Sequence, residues 1–198
     1  MNPQLIENHL KEYLSSLHIL SEEEINWGIS FFEILPLKKS DFFIKQGHFS
    51  LQLGFIIKGM VKAYSVDTKG KENIYCFGIE NDFITVLNSF QNRTVSTKNI
   101  QALEDTLLLT ITLQNLNLLL QKSTNWEKLT HYIIQKEYLE KERFLQLFHH
   151  QSANLRFNNL MQFYPFLLTR AKIEDIASFI GVTTRTLNRA KQHFYQKE

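Results

Sequence analysis

The 198-residue sequence contains a single cysteine, Cys76. One cysteine excludes a disulfide within the chain and any iron–sulfur or zinc cluster held by several thiolates. The missing disulfide framework fits a reducing compartment, so we expect the protein in the cytoplasm. Cys76 lies in the apolar stretch IYCF, which favours a buried, inert side chain over a redox sensor.

Long apolar runs and loop-forming residues are also scarce. No apolar stretch approaches the roughly 20 residues that a membrane-spanning helix needs. The first residues, MNPQLIENHLKEYL, lack the pattern of a signal peptide. With only 3 proline and 7 glycine residues, a long disordered linker is not expected. The sequence therefore indicates a folded, soluble protein with no membrane partner.

Signatures of catalysis and of metal binding are missing as well. The sequence has no phosphate-binding Walker loop, and no paired carboxylates or nucleophile–base arrangement stands out. Glu127 and His131 stand four residues apart, but no third ligand is spaced to match them. We therefore predict a protein that is not an enzyme and that holds no cofactor and no metal ion.

Hydrophobic periodicity indicates helices first and strands afterwards. Residues 3–33 have the apolar spacing of helices, and Ser21 followed by Glu24 forms a capping-box pattern. From Leu35 to about Thr112, short runs rich in Phe, Ile, Val and Tyr are broken by turn residues, with turns predicted at Lys58–Gly59 and over 67–70. This regular spacing of turns predicts an antiparallel β-roll or jelly roll.

A long helix is predicted over 125–149, because this stretch contains neither glycine nor proline. Two adjacent apolar stripes run along it: Trp126, Leu129 and Ile133 form one, and Ile134, Tyr138, Leu145 and Phe148 form the other. A long helix between two modules is a candidate dimer seam. The alternative is that the helix covers the β-roll of its own chain.

The C-terminal segment is basic, although the net charge of the whole chain is only +2. From Ser152 onward there are seven Lys or Arg residues against three acidic ones. A basic module on a mildly acidic body is expected where only the tail meets a polyanion. A difference of this size also arises by chance, so the charge alone does not assign the function.

A helix-turn-helix is predicted near the end of the chain. Residues 172–180 have a helical apolar face and are followed by Gly181, which adopts a positive φ without steric cost. Thr183 is a suitable N-cap for the next helix. In that helix Leu187, Ala190 and Phe194 recur at helical spacing and should face inward.

The opposite face of the second helix is suited to DNA. The candidate DNA-contacting residues are Thr183, Thr184, Arg185, Asn188, Arg189 and Lys191. Arginine can bind the O6 and N7 atoms of guanine, asparagine can pair with adenine, and threonine can contact a thymine methyl group or a phosphate. The spacing indicates a helix that enters the major groove. A charged outer face is, however, often only solvated.

Together the patterns predict an α+β protein. Residues 1–123 would form a sensor domain, an N-terminal antiparallel β-roll or jelly roll with flanking helices. Residues 124–150 would form the long connecting helix, and residues 151–198 the helix-turn-helix DNA-binding domain. The function expected from these segments is sequence-specific DNA binding. The alternative is a ligand-binding or protein-interaction module whose tail does not bind DNA.

Four stretches of the sequence resemble a known family. They are IIKGMVKAY and IQALEDTLLLTI in the strand region, and ANLRFNNLMQFYP and KIEDIASFIGVTTRTLNRAKQHF near the end. With the order of the predicted elements, they resemble the Crp/Fnr family of bacterial transcription regulators. The resemblance implies a cyclic-nucleotide-binding-like sensor domain, a dimerisation helix and a winged helix-turn-helix. It also implies a homodimer on a roughly palindromic site in double-stranded DNA, with RNA polymerase and an unidentified small-molecule effector as further candidate partners.

The sensor region departs from the family pattern. Members that bind cyclic AMP carry a Gly-Glu pair for the ribose and an Arg-Ser pair for the phosphate. Thr85 and Val86 stand at the first pair here, and Ser96 and Thr97 at the second. The phosphate would lose a charge-assisted partner, although Arg93 lies three residues away and is a candidate substitute. The resemblance thus implies a candidate effector pocket at these five residues and no response to cyclic AMP.

Overall fold

The structure, a computed structural model, describes residues 3–149 and 151–196. It begins with two helices, α1 (Pro3–Ser16) and α2 (Glu22–Ile29). At the start of α2 the Ser21 hydroxyl accepts a hydrogen bond from the Glu24 N–H, and the Glu24 carboxylate accepts one from the Ser21 N–H. The predicted capping box is confirmed.

Within the described residues, eight strands form two four-stranded sheets. The strands are β1 (Glu33–Leu37), β2 (Phe42–Ile44), β3 (Gln52–Lys58), β4 (Val61–Val66), β5 (Glu72–Gly78), β6 (Phe83–Ile84), β7 (Asn99–Ala102) and β8 (Thr106–Thr112). One sheet has the order β1-β8-β3-β6 and the other β2-β7-β4-β5. The pairs of β8 with β1 and β3, of β7 with β2 and β4, and of β3 with β6 are antiparallel. The short helix α3 (Leu87–Asn92) lies between β6 and β7 in the chain.

The predicted turns are present, and some of them connect different sheets. β3 and β4 are joined at Gly59 but lie in different sheets, as do β7 and β8. Gly59 has φ +103°, and a Cβ there would lie 2.6 Å from the Thr106 Cα, so only glycine fits this crossing. Crossings of this kind build a jelly roll, which confirms the predicted architecture of the N-terminal part.

Helices make up the rest of the described chain. They are α4 (Leu113–Lys122), α5 (Thr124–Phe148), α6 (Ala153–Phe163), α7 (Leu167–Arg170), α8 (Ile173–Phe179) and α9 (Thr184–Tyr195). No strand follows Thr112 within the described residues. The wing expected beside the helix-turn-helix is therefore not formed there, because the short helix α7 occupies the stretch before α8.

The largest hydrophobic cluster joins the N-terminal helices to the β-roll. Leu10 of α1, Ile25 of α2 and Phe55 of β3 are buried in it. The start of α5 completes this cluster with Trp126. The Trp126 ring lies against the backbone of Gly28, where any Cβ would overlap the indole. The first turn of α5 is therefore part of the core of the roll.

The chain forms two compact units, and the domain boundaries predicted from the sequence stay a prediction. The first comprises residues up to Ser65 together with Cys76–Ile134. The second comprises Val66–Tyr75 and the residues from Gln135 onward. The tip of the β4–β5 hairpin thus belongs to the same unit as the C-terminal helices, which no local sequence pattern indicates.

Cys76 is exposed, so the expectation that it is a buried filler was wrong. β5 is the last strand in its sheet, and an apolar stretch in an edge strand is not covered on every side. Among the described residues, no helix is long and apolar enough to cross a membrane.

Candidate nucleic-acid interface and effector position

The turn between α8 and α9 is a Schellman motif. The Val182 N–H donates to the Ala177 carbonyl at 2.9 Å, and the Gly181 N–H donates to the Ser178 carbonyl at 3.1 Å. Gly181 has φ +70°, which is the left-handed conformation that this motif requires at its glycine. The conformation predicted for Gly181 is confirmed.

The side chain of Arg156, in α6, donates hydrogen bonds to this turn. Its Nη1 donates to the carbonyls of Ile180 and Gly181 at 2.8 and 2.9 Å, and its Nε donates to the Gln151 carbonyl at 2.9 Å. These hydrogen bonds satisfy backbone carbonyl groups that have no partner within the helix at its C-terminal end. The sequence analysis did not assign this role to Arg156, because its partners lie about 25 residues away and no periodicity links them.

The second helix of the motif begins and packs as its sequence predicts. The Thr183 hydroxyl accepts from the Thr186 N–H at 3.1 Å, so Thr183 is the N-cap. Leu187 and Ala190 are buried. Phe194 is half-buried and meets Phe157 of α6 edge to face, with ring centroids 5.5 Å apart. One face of α9 is therefore fixed in the core of the C-terminal helices.

The opposite face of α9 is open and free of acidic residues. Arg185, Asn188 and Arg189 are exposed, and none of them makes a side-chain hydrogen bond or an ion pair within the part of the chain that the structure describes. Thr184 and Lys191 are half-buried at its margins. Gln192, which the sequence analysis missed, is also exposed one turn after Asn188. Its position at i+4 from Asn188 is the signal that would have found it.

The polar residues at the candidate effector position bond to one another and to the backbone. The Thr85 hydroxyl donates to the Gln52 carbonyl at 3.1 Å and lies 3.0 Å from the Ser50 hydroxyl. The Ser89 hydroxyl accepts from the Ser50 N–H at 2.9 Å and donates to the Thr94 carbonyl at 2.6 Å. Ser50 and Ser89 are buried. Both were missed, because a lone serine in the sequence gives no local sign of its partners.

The remaining predicted pocket residues do not converge. Ser96 is buried, and its hydroxyl donates to the Lys98 carbonyl at 2.7 Å. Thr97 is exposed, and Val86 is half-buried at the N-cap of α3. Arg93 is exposed at the C-cap of α3 with φ 52°, and it bonds to no described residue. The structure thus brings Thr85 together with Ser50 and Ser89, but not with Arg93.

The two predicted stripes of α5 have different environments. Trp126 and Leu129 are 3% and 2% exposed in the core of the roll, and Ile133 packs against the same core. Trp126 and Leu129 are thus covered within the chain, and their assignment to the dimer seam is corrected; Ile133 is only partly buried, so its assignment stays a prediction. Three residues of the other stripe are open: Ile134, Tyr138 and Leu145 are 38%, 60% and 51% exposed. Its last residue, Phe148, is buried and contacts Phe179.

No metal centre accompanies these sites: within residues 3–149 and 151–196, no group of three or more His, Cys, Asp or Glu side chains could hold a metal ion.

Comparison with known proteins shows which folds this chain is similar to. Residues 34–123 match the family model of the cyclic nucleotide-binding domain. No curated protein matches the sequence. Among solved structures, FixK2 from Bradyrhizobium japonicum is similar with a TM-score of 0.70 at 15% identity, over 84% of this chain and 85% of FixK2.

Two further solved structures are similar to this chain over most of its length. A protein from Eubacterium rectale, described as a transcriptional regulator of the crp/fnr family, gives a TM-score of 0.72 at 14% identity over 94% of this chain and 88% of its own. The c-di-GMP responsive global regulator CLP from Xanthomonas campestris gives 0.70 at 12% identity over 89% and 93%. The chain has the fold of the Crp/Fnr regulators, with a β-roll of the cyclic nucleotide-binding type.

Proposed function

We propose that this protein is a homodimeric, sequence-specific DNA-binding transcription regulator. The observation that carries the proposal is the outer face of α9. Arg185, Asn188 and Arg189 are exposed there without partners among the described residues, while the inner face of the same helix is fixed by Leu187 and Ala190. A rigid helix that presents unpaired donors and no carboxylate matches what base edges and phosphates require.

Each residue of that face suits a distinct contact. Arg185 and Asn188 lie in the N-terminal half of α9, from which a recognition helix reaches base edges. Arg185 would donate to guanine and Asn188 would pair with adenine. Arg189 and Lys191 would contact phosphates. Thr183 and Thr184 begin the helix, where a hydroxyl can contact a phosphate or a thymine methyl group.

The dimer would form along the open stripe of α5. Ile134, Tyr138 and Leu145 follow one another at four and seven residues, and Lys141 occupies the position between the last two. This is the spacing of a coiled-coil seam, in which a single charged residue specifies register at some cost in stability. The two copies of α9 would then need to reach sites about 34 Å apart, one turn of DNA.

The β-roll would serve as a scaffold or respond to an effector other than cyclic AMP. The Ser50, Thr85 and Ser89 hydroxyls that line this position already bond within the fold. A cyclic phosphate would have to break these bonds and would find no positively charged partner beside them, although a charge-assisted bond is about twice as strong as a neutral one.

Selection of bound duplexes from a random pool tests the proposal. We expect enrichment of a palindrome, with an affinity at least about 1,000-fold above that for random duplex and a steep fall of affinity with salt. Recovery of no common sequence, with binding equal to that of random duplex, would favour the alternative of an interaction module. Calorimetry with cyclic AMP and cyclic GMP tests the sensor, and no heat of binding is expected below millimolar concentrations.

A further inference from the structure

The tip of the β4–β5 hairpin is held by hydrogen bonds within its own turn. In its turn the Asp67 carboxylate accepts from the backbone N–H groups of Lys69 and Lys71 at 2.8 and 3.0 Å. The Gly70 N–H donates to the Asp67 carbonyl at 3.0 Å. The tip, Val66–Tyr75, belongs to the compact unit of the C-terminal helices. A braced turn of this kind keeps its shape whether or not it contacts another element.

A single hydroxyl joins this hairpin to α8. The Ser178 Oγ donates to the Glu72 carbonyl at 3.1 Å and accepts from the Ile74 N–H at 3.1 Å. Residues two apart in a strand direct their backbone groups to the same edge, and β5 is the last strand of its sheet. Ser178 therefore satisfies two backbone groups that an edge strand leaves open. We call this pair of hydrogen bonds the Ser178 clasp.

The clasped hairpin lies beside the start of α9. An open groove of about 500 Å³ is lined by Lys71 and Glu72 of the hairpin, Glu174 and Asp175 of α8, and Thr183 and Thr184. The N-terminal residues of a recognition helix are those that approach base edges. The hairpin thus shares one groove with the part of α9 that DNA would have to reach.

The charge of this groove is unfavourable to a phosphate backbone. Three of the six lining residues named above are acidic and one is basic. Such a lining repels DNA instead of binding it, because the affinity of proteins for duplex DNA depends on cationic side chains that replace counterions. The hairpin itself contributes one basic and one acidic residue, Lys71 and Glu72, so it adds no net positive charge that would attract DNA, and while clasped it occupies space beside the start of α9.

We propose that the Ser178 clasp is an autoinhibitory contact, which keeps the hairpin against the start of α9 and obstructs the approach of DNA to Thr183 and Thr184 until it opens. The inference rests on the proposed function, since it concerns access to the same DNA-binding face. The measured affinity for DNA then equals the intrinsic affinity multiplied by the fraction of molecules whose clasp is open. Any change that weakens the clasp without touching the outer face of α9 should therefore strengthen DNA binding.

Ser178→Ala tests this directly. It removes both hydrogen bonds of the clasp and leaves the outer face of α9 unchanged. Two neutral hydrogen bonds correspond to an affinity for the selected duplex that is about five- to 150-fold higher, with the same ranking of sites. Ser30→Ala is the matched control, because the Ser30 hydroxyl bonds only locally, to the Trp27 carbonyl at 2.7 Å. Its affinity for DNA should equal that of the unmodified protein.

Amide hydrogen exchange on the unmodified protein gives a second measurement that needs no variant. The Ile74 N–H is protected by the clasp and should exchange faster when the duplex is bound, while the Gly70 N–H inside the braced turn should not change. In Ser178→Ala the Ile74 amide should already exchange fast without DNA.

The outcomes separate the two proposals. Selective DNA binding by the unmodified protein, with equal or weaker binding by Ser178→Ala, would overturn the autoinhibitory clasp and leave the proposed function intact. Unchanged Ile74 exchange on DNA binding would overturn the clasp as well. Absence of selective binding by both proteins would overturn both proposals, because the clasp predicts that Ser178→Ala binds. Binding by Ser178→Ala alone would support both.

Discussion

At the scale of single residues, Gly181 meets two constraints at one position. Its φ of +70° is a conformation that other residues adopt at a cost, and a Cβ there would lie 2.9 Å from the Arg156 Nη1. The sequence predicted the first constraint from the spacing of glycine and apolar residues. It could not predict the second, because Arg156 reaches the turn only after α6 has packed beside α9.

Gly181→Ala should therefore destabilise the C-terminal unit by about 3 kcal/mol, which combines about 1–2 kcal/mol for the left-handed conformation with the loss of a charged hydrogen bond. Gly70→Ala is the matched control, since Gly70 has φ +79° but open space around the added methyl group. Gly70→Ala should lower the free energy of unfolding only by about 1–2 kcal/mol, the cost of the left-handed conformation. Denaturant unfolding of both variants measures the difference, and equal losses would contradict the role assigned to Arg156.

Glu24 links two parts of the N-terminal unit through its carboxylate. It accepts from the Ser21 N–H, from the Ser123 hydroxyl and from the Asn125 side-chain amide. The hydrogen bond from Ser123, followed by those from Ser21 and Asn125, lowers the pKa of Glu24 from 4.5 to about 2. The ionised form is thus favoured in the folded state.

Because this pKa is lowered by folding, the stability it contributes is present above pH 4.5 and is lost as the pH falls toward 2. Glu24→Gln should cost about 1 kcal/mol at neutral pH, because solvent screens this carboxylate, and the difference in stability between the two proteins should shrink over that acidic range. Thermal unfolding of both proteins between pH 7 and pH 2.5 measures this difference in stability. A constant difference across the range would show that the carboxylate is not ionised in the way described.

At the scale of elements, α9 has one buried face and one exposed face. Leu187 and Ala190 are buried, and Arg185, Asn188 and Arg189 are exposed. This division was predictable, because an amphipathic helix of 12 residues carries the whole pattern within itself. The environment of the helix was not predictable, since the hairpin beside its first turn comes from residues about 110 positions earlier.

Two substitutions on α9 should have different effects on DNA binding. Arg185→Ala should relax the preference at one base position by about 1–3 kcal/mol. Arg189→Ala should weaken binding to all sequences alike and reduce the slope of affinity against salt by about one unit. Fluorescence anisotropy with the selected duplex and single-base variants, at several salt concentrations, distinguishes them. An unchanged ranking of sites in Arg185→Ala would contradict its role in reading a base.

At the scale of the whole molecule, the proposed function depends on how two chains associate. The two apolar stripes of α5 look equivalent in the sequence, yet Trp126 and Leu129 lie in the core of the roll while Tyr138 and Leu145 are open. Helical periodicity identifies stripes but not their partners. The partner of the first stripe is α2, where Gly28 admits the Trp126 ring, and it lies about 100 residues away in the chain.

Tyr138→Glu should therefore weaken the dimer, because it places a carboxylate within the open stripe near that of its symmetry mate. Leu139→Glu is the control: Leu139 is 54% exposed on the same helix but about 100° away from Tyr138 around the axis. Sedimentation should show monomers only for Tyr138→Glu, and its affinity for a complete palindrome should fall by about 100-fold or more. Monomers in both variants would place the interface elsewhere.

The sequence by itself determined the features that repeat over a few residues. These are the capping box at Ser21, the alternation of strands and turns, the glycine turn at Gly181 and the two faces of α9, each specified by local propensity and periodicity. The tertiary structure alone decided which stripe of α5 is buried, that the Ser50 hydroxyl meets the Thr85 hydroxyl, and that Ser178 meets β5. These contacts join residues that are from 35 to more than 100 positions apart, and no short-range pattern encodes such a pair, because its energy is realised only when the whole chain has packed.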